Sequence, residues 1–275
     1  MTTVIFGFLG RRANIELQLP FITRILAENP NVEFHVWNLA KTAEDDRYIR
    51  GLAPLERMTV RNDFWSSCPW TGFDNVYRWY ANQDDYADTL FVKIDDDIVF
   101  LQTGRFAQFM ETARAHPGYI TSAFTINNGA SSPELHSHFQ GFDGLTCDLL
   151  DVHESNHYAE LSHRHMFDHW RDILAQPLEP TPTKDWLSIN CIAFNHQVMR
   201  TIANTVGSQA PRYIAGRDCG QWPYFGDEGV ANTLPRIIVN GFLAAHLTFG
   251  PQSVTDEQAD LWRKQYAAIA QEYLA

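Results

Sequence analysis

The sequence is poor in cysteine, in lysine and in long hydrophobic runs. Its 275 residues include four lysines and four widely separated cysteines, Cys68, Cys147, Cys191 and Cys219. Cysteines spaced in this way favour reduced thiols over a disulfide framework. The longest stretch without a charged residue, from Ile237 to Thr255, is interrupted by glycine, proline and asparagine, so we expect no membrane span. The N-terminus lacks the basic start and apolar segment of a secretory signal, and we expect a cytoplasmic protein.

Acidic residues outnumber basic ones by 33 to 21, which gives a net charge of −12. This charge repels polyanions, so non-specific binding to nucleic acid is disfavoured unless several arginines form a local patch. The candidates for such a patch are Arg11, Arg12, Arg212 and Arg217. A chain of this length with 45% hydrophobic residues can bury one substantial core, and neither repeats nor a linker is evident. We therefore expect a single domain over residues 1–275.

The first hundred residues alternate between short apolar runs and segments with helical spacing. Buried strands are predicted over residues 4–8, 33–37, 58–60 and 90–94. Helices are predicted over residues 15–26, where Pro20 should cause a kink or a late start, and over residues 73–80. This alternation indicates an α/β fold with a mostly parallel central sheet flanked by helices. It is Rossmann-like rather than a barrel, because too few strand–helix units fit.

The second half of the sequence is less regular. Further strands are predicted over residues 119–126, 188–194, 236–239 and 246–249. Residues 127–185, between the first two of these strands, are polar and punctuated by proline. Thr255 and Gln258 form a capping box, and the apolar spacing that follows it predicts a C-terminal helix.

Three consecutive carboxylates, Asp95 to Asp97, stand between two apolar segments. Holding three anions at the rim of a core is costly unless a cation neutralises them, and carboxylates are ligands that Mg²⁺ and Mn²⁺ prefer. In an open α/β sheet, ligands bind beyond the carboxyl ends of strands, where this triplet lies. A solvated turn is the alternative, but Ile98 to Phe100 would not normally follow one directly. Lys93 is available to pair with the triplet or with a phosphate.

A strand that ends in Asp-Asp-Asp about a hundred residues into an α/β chain resembles the DxD motif of GT-A fold glycosyltransferases. The likeness covers most of the chain, to about Gln252, and implies a GT-A fold with a nucleotide-binding half (1–126), an acceptor-binding half (127–252) and a C-terminal helix (253–275). These enzymes transfer a sugar from a nucleotide-sugar, usually a UDP-sugar, with Mn²⁺ or Mg²⁺ between the DxD carboxylates and the diphosphate. The chain also resembles stand-alone glycosyltransferases of actinobacterial bacteriophages, which would place it in the host cytoplasm.

The resemblance also implies a metal site. Asp97 would be the main metal ligand, Asp95 would contact the metal or the ribose, and Asp96 would be auxiliary. Many GT-A enzymes complete the metal shell with a C-terminal histidine, and His246 occupies that place in the sequence. Taken alone, a histidine among small and apolar residues is more often a buried structural residue than a ligand.

Nucleotide contacts are implied at three other places in the sequence. Phe6, Gly7 and Arg11, in the first strand and the turn after it, would border the nucleotide. Asp63, after the third strand, would contact the base or the ribose. Asn190 could hydrogen-bond hydroxyl groups of the donor sugar, or it could be an ordinary buried amide. The glycines near the first strand do not form a GxGxxG pattern, so a dinucleotide fingerprint is absent.

An aromatic and acidic segment, Gln221 to Gly229, resembles the loop before the acceptor-side helix of several GT-A enzymes. The aromatic ring of Trp222 could cover the C–H face of a sugar, while Asp227 or Glu228 takes a hydroxyl proton. We favour Glu228 as the general base of an inverting reaction, and in a retaining reaction this role would vanish. The alternative is a helix cap, with Asp227 at the N-cap and Glu228 in the first turn.

Histidines are concentrated in one segment, with seven of the 11 between residues 136 and 169. Two pairs have the i, i+4 spacing that can hold zinc on a helix: His153/His157 and His165/His169. No cysteine pair and no HExxH pattern accompanies them. We favour instead a polar flap over the acceptor side, in which these histidines, Asn127, Asn128 and Asp143 could meet hydroxyl groups.

These features favour a metal-dependent glycosyltransferase that uses a nucleotide-sugar and a hydroxyl acceptor on a protein or a saccharide. The alternatives are transfer to hydroxymethylated bases of phage DNA, a Mg²⁺-dependent nucleotidyltransferase or phosphohydrolase, and a non-catalytic carbohydrate-binding protein. The lack of a GxxxxGK[ST] loop weighs against nucleotidyl chemistry. The carboxylate pair beside aromatic residues weighs against a purely binding role.

Overall fold

The fold is described by a computed structural model that covers residues 2–53, 55–65, 69–149 and 151–275. Cys68 lies outside the described residues, and Cys147, Cys191 and Cys219 are free thiols. The described strands are β1 (Thr3–Leu9), β2 (Val32–Asn38), β3 (Met58–Arg61), β4 (Leu90–Asp95), β5 (Ile98–Leu101), β6 (Ile120–Ile126), β7 (Glu179–Thr183), β8 (Cys191–Asn195), β9 (Tyr213–Ile214), β10 (Arg217–Asp218) and β11 (Arg236–His246). The described helices are α1 (Arg12–Glu28), α2 (Ala43–Arg50), α3 (Pro69–Ala81), α4 (Phe106–Ala115), α5 (Pro133–Phe139), α6 (Asn156–Ala175), α7 (His196–Thr205), α8 (Asp227–Ala231) and α9 (Asp256–Leu274).

One mixed sheet forms the centre of the molecule, in the order β3-β2-β1-β4-β8-β6-β11-β5, with β7 paired to β11. Six of these nine strands point the same way, because only β5, β7 and β8 pair in the antiparallel sense. One apolar cluster packs α1, α2, α4, α6 and α9 on one face of the sheet, and a second packs α3, α7 and α8 on the other. The predicted single α/β domain with a mostly parallel sheet, flanking helices and a C-terminal helix is confirmed.

The sheet curls so that its β5 edge approaches the central strand β4. Strand β4 ends at Asp95 and β5 begins at Ile98, yet β5 pairs with β11 at the far edge of the sheet. Only a curled sheet allows a two-residue link between a central strand and an edge strand. From α1, the side-chain amide of Gln18 donates to the carbonyl oxygens of Asp95 (2.7 Å) and Ile98 (3.2 Å), so it braces both sides of the acidic triplet.

Several predicted elements have different boundaries in the structure. Helix α1 begins at Arg12, so the predicted late start is wrong; Pro20 is exposed, and water can bond the carbonyl group that it leaves free. The strand predicted over 188–194 begins only at Cys191. Before it, the carbonyl oxygens of Ser188 and Ile189 accept hydrogen bonds from side chains instead of from a neighbouring strand.

The end of the chain also differs in part from its prediction. The strands predicted over 236–239 and 246–249 are a single strand, β11, which ends at His246. The predicted cap of α9 is half formed: the Thr255 side chain accepts from the Gln258 backbone, but the Gln258 side chain donates to Glu160. The polar segment 127–185 contains α5 and the 20-residue helix α6, whose buried face is interrupted by histidines in the sequence. None of the described helices is long and apolar enough to cross a membrane.

Gly241 is the position in β11 where a side chain is excluded. Its φ is +76°, and a Cβ atom there would lie 2.4 Å from the carbonyl oxygen of Pro177. We expect Gly241→Ala to lower the free energy of unfolding by roughly 2–4 kcal/mol, because it adds a backbone clash to left-handed strain. In a thermal melt, Tm should fall by about 5–15 °C.

Gly118→Ala is the matched control for that measurement. Gly118 has a similar φ of +83°, but no atom lies within 4 Å of its Cβ position. The free energy of unfolding of Gly118→Ala should therefore fall by only about 1 kcal/mol, which is the cost of the backbone conformation alone. Equal losses in the two variants would contradict the role given to the Pro177 contact.

Candidate active site

A cavity of about 570 Å³ opens at the carboxyl ends of β1 and β4. Its lining residues are Phe8, Arg11, Phe73, Lys93, Asp95, Asp96, Asp97, Trp186, Ile189, Trp222, Pro223, Tyr224, Gly226, Asp227, Glu228 and Gly229. Eight of the residues predicted from the sequence are therefore brought to one cavity. The acidic triplet forms one side with Arg11 and Lys93, and the segment from Trp222 to Gly229 forms the other.

Asp97 is held against the end of β11. The Leu247 backbone N–H donates to the Asp97 carbonyl oxygen (2.9 Å), which places the preceding residue, His246, beside the Asp97 side chain. The His246 Nε2 atom lies 3.1 Å from Asp97 Oδ2, and Arg11 Nη2 lies 2.7 Å from the same oxygen. Burial acts to raise the pKa of Asp97, but Arg11 and His246 outweigh it and hold the pKa below its usual range.

Asp96 faces the turn between β1 and α1. Its Oδ2 accepts from the Gly10 backbone N–H (3.0 Å), and both of its oxygens accept from Arg11 Nε (3.1 and 3.2 Å). Burial raises the pKa of Asp96, although Arg11 acts to lower it. Arg11 thus bridges two members of the triplet.

Asp95 is paired with Lys93 and with a buried amide. Lys93 Nζ lies 2.5 Å from Asp95 Oδ1 and also donates to the carbonyl oxygen of Ile189 (2.9 Å). The Asn190 side-chain amide donates to Asp95 Oδ2 (3.1 Å) and accepts from Asn128 (3.1 Å). Burial raises the pKa of Asp95, and Lys93 opposes that rise. Asn190 therefore orients Asp95 from behind rather than lining the cavity.

The donor atoms on this side of the cavity fit a divalent cation in their chemistry. Carboxylate oxygens and an imidazole nitrogen are ligands that Mn²⁺ accepts. Asp97 Oδ1 and His246 Nδ1 are both buried without a hydrogen-bond partner in the described part of the chain, which is costly unless a further ligand engages them. The described residues do not assemble three His, Cys, Asp or Glu groups into a ready-made cluster. A bound cation would therefore need side-chain adjustment or ligands from its substrate.

The opposite side of the cavity carries a second pair of carboxylates. Trp186 Nε1 donates to Glu228 Oε1 (2.7 Å), and burial raises the pKa of Glu228 to about 7 although this hydrogen bond acts to lower it. Asp227 accepts from the Tyr77 hydroxyl (2.9 Å) and from the Glu228 backbone N–H (3.0 Å). Both oxygens of Asp227 are therefore engaged by the protein, whereas Glu228 is poised to exchange a proton near neutral pH.

Two tyrosine–aspartate bonds join α3 to the loop that precedes α8. Tyr77 on α3 donates to Asp227 after the loop, and Tyr224 in the loop donates to Asp74 on α3. Burial raises the pKa of Tyr77 well above 10, so it remains a donor at all physiological pH values. This reciprocal pair fixes the segment that carries Glu228.

Trp186, the hydrogen-bond partner of Glu228, packs against a second tryptophan and an arginine. The rings of Trp186 and Trp222 are 5.4 Å apart and nearly perpendicular. The guanidinium carbon of Arg217 lies 5.2 Å from the first ring and 5.3 Å from the second. Trp222 is half-buried and lines the cavity, so its ring can meet a ligand.

Three residues predicted to contact the nucleotide, Phe6, Gly7 and Asp63, do not line the cavity. The Phe6 side chain is fully buried among other rings, and Phe8, on the same face of β1 but at its carboxyl end, lines the cavity instead. Gly7 lies inside β1, where a Cβ atom would come 3.2 Å from the Ile94 carbonyl oxygen, so its role is close packing of two strands. Asp63 is exposed and does not line the cavity.

None of the described residues from 127 to 185, where a flap over the acceptor side is predicted, lines the cavity. Asn127 is buried and bonded to Gln252, and His163 is buried between Tyr266 and the Leu247 carbonyl oxygen. His153 and His157, one of the two pairs considered for zinc, contact different partners, a serine hydroxyl and a backbone carbonyl.

The arginines considered for a nucleic-acid patch do not share one partner or one surface. Arg11 contacts the acidic triplet, and Arg217 lies over two tryptophans. Arg12 pairs with Glu16, and Arg212 lies 3.6 Å from Asp218. Each positive charge is thus already engaged locally, so the structure gives no support to a patch built from all four.

Comparison with known proteins finds similarity only to solved structures: no protein-family model matches the sequence, and no curated protein does. A mannosyltransferase from Pyrobaculum calidifontis, in complex with GDP-Man and Mn²⁺, is 13% identical with a TM-score of 0.49 over 98% of this chain. This chain spans 64% of that protein's length. The galactosyltransferase LgtC, in complex with donor and acceptor sugar analogs, is 9% identical with a TM-score of 0.45, and the match covers 97% of this chain and 96% of LgtC.

A third solved structure, a putative nucleotide-diphospho-sugar transferase from Desulfovibrio desulfuricans, is 14% identical with a TM-score of 0.31. The match covers 45% of this chain and 60% of that protein. Because all three TM-scores are below 0.5, these likenesses do not establish what this chain does. Its function has to be inferred from the residues of the cavity.

Proposed function

We propose that this protein is a metal-dependent glycosyltransferase that moves a sugar from a nucleotide-sugar, in the first place a UDP-sugar, to a hydroxyl group of a saccharide or a protein. One observation carries this proposal. A single cavity has the acidic triplet with His246 behind it on one side, and on the other Glu228, which is hydrogen-bonded to Trp186 and shares the cavity wall with Trp222. Such a cavity can hold an anionic diphosphate through a cation and a sugar hydroxyl through a base.

The triplet side is the proposed donor site. Asp95, Asp97 and His246 would hold Mn²⁺ or Mg²⁺, which when bound would offset negative charge on the departing nucleotide diphosphate. Lys93 and Arg11 add positive charge to the same side of the cavity. Apart from His246, the donor-side residues come from positions 8–97, which supports a nucleotide-binding half over residues 1–126.

The Glu228 side is the proposed acceptor site. The ring of Trp222 can cover the apolar face of a sugar, as aromatic side chains do in carbohydrate sites. Trp186 holds one oxygen of Glu228, and the other can accept the proton of the acceptor hydroxyl. Asp227 keeps this segment in place through Tyr77. These roles require inversion at the anomeric carbon, and they support an acceptor-binding half over residues 127–252.

The direct test is a panel of nucleotide-sugars incubated with the protein and Mn²⁺, with hydrolysis read by mass spectrometry. We expect one nucleotide-sugar to be hydrolysed slowly, with water as acceptor, and EDTA to abolish the reaction. Calorimetry with UDP and with GDP, each with and without Mn²⁺, independently identifies the nucleobase of the donor. Binding of free sugar without any nucleotide binding would favour a carbohydrate-binding protein, and release of pyrophosphate from a nucleoside triphosphate would favour a nucleotidyltransferase.

A further inference from the structure

Arg11 is the residue whose position in the cavity has the clearest consequence beyond the proposed function. Its guanidinium group contacts Asp96 through Nε and Nη2 and Asp97 through Nη2 (2.7 Å). The two carboxylates are only 9% and 7% exposed, whereas the Arg11 side chain is 50% exposed. One side of this ion pair is therefore fixed in the protein, and the other can move toward the open cavity.

The Asp97 oxygen that Arg11 contacts is the same oxygen that faces His246. A divalent cation bound by the Asp97 carboxylate beside His246 would lie close to the guanidinium group whichever carboxylate oxygen it used, because Arg11 already occupies one of the two. Two positive charges beside the same carboxylate repel each other, most strongly where burial lowers the effective dielectric constant. Arg11 in its present position therefore competes with the cation.

The other basic residue of this side cannot take part in such an exchange. Lys93 is buried, and it is held by Asp95 and by the Ile189 carbonyl oxygen. Arg11 also has a rigid planar group that binds phosphate oxygens in pairs as well as it binds carboxylates. If a diphosphate entered the cavity, Arg11 could exchange Asp97 for the phosphates at little cost.

From these contacts we infer that Arg11 is an exchangeable counter-ion, which neutralises Asp96 and Asp97 in the free protein and leaves Asp97 for the donor diphosphate when the cation binds. This inference rests on the proposed function. An exchangeable Arg11 makes the binding of cation and nucleotide mutually dependent. A cation that binds alone must displace Arg11 and leave it without a partner. When cation and diphosphate bind together, the diphosphate becomes the new partner of Arg11. Such coupling is reciprocal, so each ligand strengthens the other by the same factor.

The test compares Mn²⁺ affinity, measured by electron paramagnetic resonance of the free ion, with and without saturating UDP. For the wild-type protein we expect UDP to tighten Mn²⁺ binding by at least about 10-fold. Arg11→Gln should bind Mn²⁺ alone at least about 10-fold more tightly than wild type, and UDP should then change that affinity by less than about 3-fold. Arg11→Lys keeps the charge but loses the planar fork of N–H donors, so its Mn²⁺ affinity and its response to UDP should lie between those of wild type and Arg11→Gln.

Arg12→Gln is the matched control, because Arg12 is the next residue but pairs with Glu16 (2.7 Å) and lies over Tyr48. The Arg12→Gln protein should have the Mn²⁺ affinity of the wild type, both with and without UDP. Arg11→Gln protein whose Mn²⁺ affinity without UDP is unchanged or weaker would overturn the inference and leave the proposed function standing. If that variant does not fold, unchanged coupling in Arg11→Lys would overturn it. Wild-type protein that binds Mn²⁺ neither alone nor with UDP or GDP would overturn the proposed function and the inference together.

Discussion

Replacing Asp97 with asparagine is expected to lower the metal-dependent hydrolysis of the nucleotide-sugar by roughly 10³-fold or more. A cation that stabilises the departing diphosphate contributes several kcal/mol to the transition state, and about 4 kcal/mol corresponds to this factor. Asp97 is the member of the triplet that contacts His246, and its Oδ1 is buried without a partner in the described part of the chain. Asparagine keeps the shape of the side chain but removes the charge. Mn²⁺ affinity and the hydrolysis rate are measured on the same preparation.

Asp96→Asn is the control for this prediction, because Asp96 is equally buried and belongs to the same triplet. It is held by Gly10 and Arg11 rather than by His246, so we expect a loss of about 10-fold, typical of a residue that supports a ligand. Thermal melts of both variants show whether either loss reflects unfolding. If Asp97→Asn kept the Mn²⁺ affinity of the wild type, the proposed metal site would be contradicted. Equal losses of hydrolysis rate in the two variants would mean that only the total charge of the triplet matters for the reaction.

The parts of the fold that the sequence predicts well depend on local pattern. Strand β4 is a continuous apolar run, and the triplet is recognisable because three adjacent anions between apolar segments are rare and costly. Helix α6 is harder to predict, because histidines on its exposed and buried faces obscure the apolar spacing. The single long strand β11 is hard to predict because Gly241, with its left-handed backbone, lies inside it where the register with β6 shifts, and a glycine there reads as a break in the sequence.

The remaining parts of the site depend on contacts between distant residues. Trp186 becomes part of the cavity through Glu228, 42 positions later, and Gln18 braces the triplet from 77 positions earlier. Nothing in the sequence near Trp186 or Gln18 signals these partners. The choice between Phe6 and Phe8 is similar: both side chains lie on one face of β1, and only the position of the strand's end relative to the cavity separates them.

Glu228 gives the second large effect, and its basis is burial. Burial raises the pKa of its carboxyl group to about 7, against an ordinary value of 4.5 and despite the hydrogen bond from Trp186. As a general base it must be deprotonated, so kcat/KM for hydrolysis should rise with pH and level off above about 7. In the folded protein the group holds its proton between pH 4.5 and 7, whereas in the unfolded chain it does not. Stability from this group therefore falls as pH rises through that window.

Glu228→Gln is expected to lower kcat/KM by about 10²–10⁴-fold at pH 8 and to remove the rise near pH 7, because glutamine cannot accept the proton. It should also gain stability relative to wild type between pH 5 and pH 8, by up to roughly 3 kcal/mol, since it has no carboxylate to bury. The pH profile of hydrolysis and urea unfolding at several pH values measure the two effects separately.

The variant Asp227→Asn distinguishes the role of Asp227 from that of its neighbour Glu228. Its oxygens already accept from Tyr77 and from the Glu228 backbone, so the variant should lose stability more than activity and should keep a pH-dependent rate. The midpoint of that profile should move to lower pH, because the charge of Asp227 helps to raise the pKa of Glu228.

The two variants together also test which carboxylate is the general base. An Asp227→Asn variant that loses all activity, beside a Glu228→Gln variant that remains active, would reverse the assignment of the base. If neither variant affects the rate, the departing phosphate would have to act as the base, and the reaction would retain the anomeric configuration.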